Sequence, residues 1–357
     1  MKPRFLLSDG TGINQQIVDL DSGIVNRAFQ NCCNKLNFTL EALYEEIGCS
    51  LDSIRSLATG GRISWSTYVG ISGLYLEDIE EIDLGSCVLR AVRSHSNPQL
   101  RSKRVTKEHH LSKNSVCLSG CILEIRHSAV RTEGAIADNW HGDFPAIEQG
   151  PDYVDENKLI DALLLAIVFT VMATDGVAAT FRQSGFPIAN GRGISGSESV
   201  RSSLVRVCAA QKDEIDSWLN TLLSADVTPL RVAIDRIRSS IMHRSNSSDS
   251  VLDAFIALEC IFSDSTETTF QVTAATTKYL YSSSERRDAF KILKKLYGVR
   301  SKLSHGKHVN ISKDLNPDEA SELLLPIVLA CLKKVLNDPE LLKLNAPERV
   351  KEVLLYR

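Results

Sequence analysis

An arginine and a histidine near residue 300 have the types and spacing needed for chemistry on a phosphate. Four residues separate Arg300 from His305 in the sequence RSKLSH, and Gly306 follows. A guanidinium offers a planar, permanently charged set of N–H donors to phosphate oxygens. A histidine, with an ordinary pKa of about 6.5, can accept or give a proton near neutral pH. The two side chains could together bind a phosphodiester and move the proton that its cleavage requires.

The residues around this pair follow the period of an α-helix. Five apolar residues between 283 and 304 fall on one face at about 100° per residue: Phe290, Leu293, Leu296, Tyr297 and Leu303. Arg300 lies near the middle of that face, and we expect the helix to end at Gly306. A guanidinium in an apolar face needs a partner. Glu259, an acid within the apolar face of the preceding helix VLDAFIALECIF, is the candidate.

The sequence is compatible with either a structural or a functional role for each of these side chains. A buried Glu259–Arg300 ion pair either only fixes helix packing or holds Arg300 for catalysis. Tyr297, one turn before Arg300, either packs in the core or stacks on a base. Three residues near the helix end are either phosphate ligands or solvated cations: Lys302, Lys307 and His308.

The sequence RSKLSHG resembles the Arg-x4-His motif of the HEPN superfamily, and in particular the Apea-like HEPN group of bacterial anti-phage proteins. IDRIRSSIMHRSNSSDSVLDAFIALECIF resembles the helix pair that precedes the motif in that group, and ERRDAFKILKKLYGVRSKLSHG resembles its motif helix. The resemblance covers residues 227–336. It implies an all-α HEPN helical bundle and a metal-independent endoribonuclease without a cofactor.

The resemblance also implies roles and partners. Arg300 and His305 would be catalytic, supported by Glu259, Tyr297 and Ser301. Because the 2′-hydroxyl of RNA attacks the neighbouring phosphate, products would end in a 2′,3′-cyclic phosphate and DNA would be inert. Ser301 stands where many HEPN ribonucleases have Asn, Asp or His, but a serine can still hydrogen-bond a phosphate or the histidine.

The expected partners are an RNA substrate, with transfer RNA among the candidates, a second copy bound through the HEPN domain and a phage-derived trigger. Family members usually form dimers in which two motifs face each other across a cleft. The implied function is anti-phage defence by abortive infection. The alternatives are a non-catalytic dimerisation or interaction module, and the toxin of a toxin–antitoxin pair.

A second Arg-x4-His pair, Arg238 and His243, shows that the spacing alone says little. Arg244 follows this histidine in place of a glycine. Leu230, Ile234, Ile237 and Ile241 form the core face of that segment, and His243 points away from it. We therefore predict that the second pair is surface charge.

Length and composition predict an α+β protein of two domains among the 357 residues. We expect a mixed α/β or β-rich domain over 1–150, which senses a trigger or positions substrate, and a helical HEPN domain over 151–357.

The net charge of −3 provides no global field for nucleic acid, so RNA contacts must come from a local patch. Nine cysteines without a secretory pattern indicate free thiols and a cytoplasmic protein, and the apolar run 162–173 is shorter than the roughly 20 residues of a membrane span.

Periodicity predicts the individual elements. Strands are expected at 85–94 and 115–127, with a basic loop between them at 101–110 that is either solvated or phosphate-binding. A helix is expected near 36–48, a linker at 142–157, and further helices at these ranges: 156–174, 199–223, 229–243, 250–263, 269–281, 284–304, 317–336 and 347–356. We expect no metal site, because Cys117 and Cys121 do not match a zinc-binding spacing, and we interpret GRGISG at 191–196 as a loop.

Overall fold

The computed structural model describes these residues: 25, 28, 31, 32, 35, 39–58, 62–92, 120–131, 147–149, 155–173, 177–184, 194–195, 205–244, 246–263, 268–306 and 315–357. The fold is mixed α+β. Two compact units interleave along the chain. The first comprises Met1–Ile71, Ile79–Glu156 and Ala179–Gly196, and the second comprises Ser72–Asp78, Asn157–Ala178 and Ser197–Arg357.

The first unit contains helix α1 and a mostly antiparallel sheet. Its elements are α1 (Leu40–Ala58), β1 (Arg62–Ser72), β3 (Glu81–Asp83), β4 (Cys87–Val92), β5 (Gly120–Arg131), β6 (Ile147–Gln149), β7 (Ala178–Ser184) and β8 (Ile194–Ser195). Strand β2 (Leu74–Leu76), which follows β1 in the chain, belongs to the second unit. The strand order is β3-β4-β5-β1-β7-β8, and β6 pairs with the far end of β5. Residues 121–125 of β5 are all buried, so both faces of this central strand are covered.

The second unit is a set of helices with a small parallel strand pair. Its elements after β2 are α2 (Glu156–Val171), β9 (Val205–Val207), α3 (Lys212–Ser224), α4 (Arg231–Arg238), α5 (Ser247–Phe262), α6 (Thr268–Leu280), α7 (Arg286–Ser304), α8 (Pro317–Leu336), α9 (Pro339–Lys343) and α10 (Ala346–Lys351). The first residue of α2, Glu156, is the last residue of the first unit's middle segment. Helix α5 is central and packs against α4, α6, α7, α8 and α10. Most of its apolar residues, among them Phe255, Leu258 and Phe262, are fully buried.

Most predicted elements are present, and one predicted helix is wrong at its start. The predicted strands 85–94 and 115–127 correspond to β4 and β5, and the helix predicted at 317–336 has those bounds. The helix predicted at 199–223 begins only at Lys212, because Val205 and Val207 are buried in β9, which pairs with β2. The loop predicted at 101–110 lies outside the described residues.

Helix α2 contains the longest apolar run of the sequence. Ten of its residues are buried, from Leu159 to Phe169, so the run forms a core helix. Across the described part of the chain, no helix combines the length and the apolar character that crossing a membrane requires.

Candidate active site

Helix α7 ends where the sequence places its glycine, and this end presents His305. The last helical residue is Ser304, and His305 is the C-cap residue. Gly306 follows with φ +63° and donates its N–H to the Leu303 carbonyl at 3.1 Å. This left-handed conformation strains residues that carry a Cβ, which is why a glycine ends the helix. The His305 side chain is consequently exposed at the helix end.

Arg300 is bound to the acid expected from the sequence. Its Nη2 lies 3.0 Å from both carboxylate oxygens of Glu259, which projects from the central helix α5. The Arg300 side chain is 33% exposed and that of Glu259 is 17% exposed. The guanidinium is therefore fixed by one nitrogen and still reaches the surface. Among the described residues, none accepts a hydrogen bond from its Nη1 or Nε.

Tyr297 belongs to the packing beneath this pair. It is 4% exposed, its ring lies 4.4 Å from the ring of Phe255, and its hydroxyl donates to Glu259 Oε1 at 3.4 Å. Burial raises the pKa of Tyr297, and the neighbouring Glu259 raises it further. The hydroxyl thus stays protonated and orients the carboxylate. Base stacking, one of the two predicted roles, is excluded in this arrangement because the ring is buried.

The environment of Glu259 disfavours its charge. Burial raises the pKa of the carboxyl, and Arg300 and Tyr297 lower it by less, so the pKa stays above its ordinary value. A buried carboxylate of this kind depends on its cation: if Arg300 is removed, an uncompensated charge remains.

Arg300 and His305 are close along α7 but leave it on different sides. Five residues correspond to a rise of about 7.5 Å and a rotation of about 140°. Among the residues that the structure describes, no hydrogen bond joins the side chains of Arg300 and His305. Ser301 is exposed and lies one turn before His305, on the same side of the helix. Within one copy, His305 and Ser301 therefore face one side of the helix end, and Arg300 faces another.

The structure describes one of the three residues that were predicted to bind RNA. Lys302 is half-buried, in the last turn of α7. Lys307 and His308 lie outside the described residues.

The second Arg-x4-His pair differs from the predicted surface charge. Arg238 is only 21% exposed and forms an ion pair with Asp161 of α2. Residues Ser239–His243 form a π-helical turn, which follows α4, and His243 itself is exposed. Partial burial lowers the pKa of His243, and the nearby Arg238 lowers it further. Both Arg-x4-His pairs therefore combine a carboxylate-bound arginine with an exposed histidine, so they form a matched set.

Sequence reasoning missed two other buried polar groups. Arg349 is fully buried, and its guanidinium donates to the carbonyls of Leu341 at 2.9 Å, Ile261 at 3.0 Å and Pro229 at 3.2 Å. Burial lowers its pKa to about 10. Because Ile261 is in the last turn of α5, Arg349 caps the helix that presents Glu259. A buried arginine in a helix of mixed sequence leaves no pattern by which to predict it.

The second group lies in the sheet of the first unit. The Nε2 atom of buried His127 is 2.9 Å from Glu156 Oε1 and 3.1 Å from Thr67 Oγ1, and the Thr67 hydroxyl donates to Glu156 at 2.6 Å. A hydroxyl–imidazole–carboxylate relay needs the two ring nitrogens to face different partners. Here one nitrogen faces both, so the geometry is that of a buried polar cluster.

No family model, characterised protein or solved structure matches this chain. Among the residues that the structure describes, no group of three or more histidine, cysteine, aspartate or glutamate side chains is placed to hold a metal ion.

Proposed function

We propose that the protein is a metal-independent HEPN-type endoribonuclease whose reaction is carried out by Arg300 and His305. The observation that carries the proposal is the end of α7, where a carboxylate-held, partly exposed arginine lies five residues before an exposed histidine. A fixed cation and a solvent-accessible proton carrier are the two groups that cleavage by a neighbouring 2′-hydroxyl requires.

In the proposed reaction, the substrate supplies the nucleophile and the protein supplies charge and proton transfer. His305 accepts the proton of the 2′-hydroxyl as this oxygen attacks the adjacent phosphorus atom. The Nη1 and Nε donors of Arg300 stabilise the negative charge that develops on the phosphate oxygens. The 5′-oxygen of the next nucleotide leaves and takes a proton from water, His305 returns the proton that it accepted to the hydroxide formed, and the other product keeps a 2′,3′-cyclic phosphate. Ser301 hydrogen-bonds the phosphate or the imidazole.

The biological role that we propose is anti-phage defence in the cytoplasm, by cleavage of RNA on infection. A homodimer formed through the HEPN domain would bring two α7 ends to one cleft, and thereby supply Arg300 and His305 from different copies. This arrangement resolves the 140° between the two side chains within one helix.

The ion pair itself favours a second candidate, a non-catalytic HEPN module for dimerisation or partner binding. In that case Arg300 serves only to balance Glu259 between α5 and α7. The two candidates make opposite statements about His305, which has no part in the packing of the ion pair.

Substitution of the two matched histidines separates the candidates. Purified wild-type, His305→Ala and His243→Ala proteins are incubated with labelled total RNA, transfer RNA and single-stranded DNA in excess EDTA. The proposal expects RNA cleavage by the wild type and by His243→Ala, and none by His305→Ala. Cleavage lost in His243→Ala but kept in His305→Ala would move the active site to the π-helical turn. If the wild-type protein cuts no RNA, whether it is purified from uninfected or from phage-infected cells, the interaction module is the remaining candidate.

A further inference from the structure

Helix α7 carries a net charge that contrasts with the rest of the chain. Its 19 residues hold seven cations, namely Arg286, Arg287, Lys291, Lys294, Lys295, Arg300 and Lys302, and one acid, Asp288. The helix is therefore +6, whereas the whole chain is −3. A local patch of the kind that RNA binding requires is concentrated in this helix.

Part of this charge is arranged in a row that leads to His305. Residues 287, 291, 294, 298, 301 and 305 follow one another at intervals of four or three, which keeps them on one side of a helix. All six are exposed: Arg287, Lys291, Lys294, Gly298, Ser301 and His305. We call this row the α7 stripe. It runs for about 27 Å at 1.5 Å per residue.

The cations of the stripe are available to a ligand. Lys294 has no ion-pair partner within the part of the chain that the structure describes. Lys291 contacts Asp288 at 2.9 Å, but the two side chains are 69% and 78% exposed, and such a surface pair contributes little and is easily exchanged. Arg287, Lys291 and Lys294 are thus three exposed cations on one line.

Gly298 leaves the middle of the stripe open. A Cβ built on this residue meets no atom within 4 Å. A glycine in the middle of a helix destabilises it relative to alanine, and no neighbour among the residues that the structure describes requires the missing side chain. The gap lets an extended ligand lie against the helix backbone between Lys294 and His305.

We propose that the α7 stripe binds the phosphate backbone of single-stranded RNA and guides it to His305. The inference rests on the proposed function for its outcome in catalysis, whereas the binding stands on the stripe alone. A second copy is disfavoured as the occupant of the cationic part of the stripe, since a symmetric contact through Arg287, Lys291 and Lys294 would oppose two cationic rows; the proposed dimer brings together only the His305 ends of α7. A flexible polyanion matches both the charge and the length.

The stripe sets a substrate length. From Lys294 to His305 the helix rises about 16 Å, which is about five nucleotides at a stacked spacing of about 3.4 Å. RNAs shorter than about five nucleotides reach His305 without touching the cations, whereas RNAs of about eight nucleotides or more span the distance to Arg287 and gain three phosphate contacts. For a single strand, three contacts give a slope of about −2 in the logarithm of affinity against that of salt, or roughly a 40-fold change between 1 M and 0.15 M salt.

Binding is tested in the full-length His305→Ala protein, which keeps RNA intact. Fluorescence anisotropy measures its affinity for a labelled 20-nucleotide single-stranded RNA in EDTA between about 0.05 and 1 M salt. Replacing Arg287, Lys291 and Lys294 by Gln should weaken binding by roughly 40-fold at 0.15 M salt and reduce the slope by about 2. Gly298→Leu, which has open space for its side chain, should fold normally and also weaken binding. Lys212→Glu, an exposed charge change on α3, should have no effect.

Two results overturn the inference: an unchanged affinity and slope in the triple variant, or a wild-type dimer that the triple variant converts to a monomer while RNA binding is unaffected. Cleavage by otherwise wild-type protein distinguishes the two proposals. Stripe-dependent binding without any cleavage refutes only the ribonuclease. Cleavage of 20-nucleotide RNA that is equally fast with and without the stripe cations refutes only the stripe. The supporting result is that the triple variant cuts long RNA as slowly as the wild type cuts RNA of four nucleotides, whose cleavage is unchanged by the substitutions.

Discussion

Replacing Arg300 by Met removes the charge of the ion pair and keeps most of the side-chain volume. Glu259 then remains in a mostly buried position with its charge uncompensated. Breaking a fully buried pair costs about 3–5 kcal/mol, and surface pairs are worth about 0–1 kcal/mol. Because Arg300 is 33% exposed and Glu259 17% exposed, we expect an intermediate loss of about 1–2 kcal/mol at pH 7.5. The melting temperature should fall by about 2–8 °C.

The pH dependence of this loss identifies its cause. The pKa of Glu259 is raised above its ordinary value of 4.5 even beside Arg300. A carboxyl with a raised folded pKa favours the folded state below its unfolded pKa, and this contribution is lost as the pH rises through the folded pKa. Without Arg300 the pKa rises further. The deficit of Arg300→Met should therefore be smaller in acid than at neutral pH, because a protonated Glu259 needs no cation.

A second substitution provides the control. Glu259→Gln in the Arg300→Met background removes the unpaired charge, so most of the lost stability should return. RNA cleavage should be absent in Arg300→Met and also in the double variant, because neither protein has the cation that binds the phosphate. Urea unfolding at pH 5 and 7.5 measures the first effect, and a cleavage assay the second. Equal deficits at both pH values, or no recovery of stability in the double variant, would refute this description of the pair. A double variant that cuts RNA would refute the catalytic role of Arg300.

Three further predictions concern stability, measured by urea or thermal unfolding. Asp253 is 2% exposed and accepts from Arg236, Ser239 and Arg244. Burial raises its pKa, but these hydrogen bonds outweigh burial and hold the pKa below its ordinary value. Asp253→Asn should therefore destabilise by about 2–3 kcal/mol at neutral pH. In the wild type this contribution should be present above pH about 4 and lost as the pH falls through the folded pKa; equal acid sensitivity of both proteins would contradict it. Gly306→Ala should destabilise by about 1 kcal/mol because of its φ of +63°, whereas Gly298→Ala should stabilise by about 0.5–1 kcal/mol; the opposite order would contradict both. Arg349→Met should cost about 3–4 kcal/mol, since buried carbonyls lose a charged donor, and a near-neutral result would mean that the α5 end does not depend on it.

The parts of the site that the sequence predicts are those encoded locally. The period of α7, its end at Gly306 and the position of Glu259 within an apolar face are all readable within a few turns of helix. The contact of Glu259 with Arg300 was predictable as well, because two unpaired opposite charges on apolar faces of neighbouring helices each need a partner.

The parts that were not predicted depend on residues far apart in the chain. β9 pairs with β2, about 130 residues earlier, so Val205 to Val207 could not be distinguished from the start of the helix that follows. Arg238 pairs with Asp161 of α2, which no helical-wheel argument on one segment can reveal. The strand β2 also belongs to the helical second unit, although it precedes residue 150.

The central claim concerns which oxygen attacks the phosphorus atom. The most direct test is cleavage in EDTA of an RNA cut at a mapped position, compared with the same strand carrying a single 2′-deoxy nucleotide on the 5′ side of the scissile phosphate. The account predicts that the all-RNA strand gives a 2′,3′-cyclic phosphate and a 5′-hydroxyl, that the 2′-deoxy strand is not cut at that position, and that His305→Ala cuts neither. Cleavage of the 2′-deoxy strand at the same phosphate, or products with a 5′-phosphate and a 3′-hydroxyl, would contradict it.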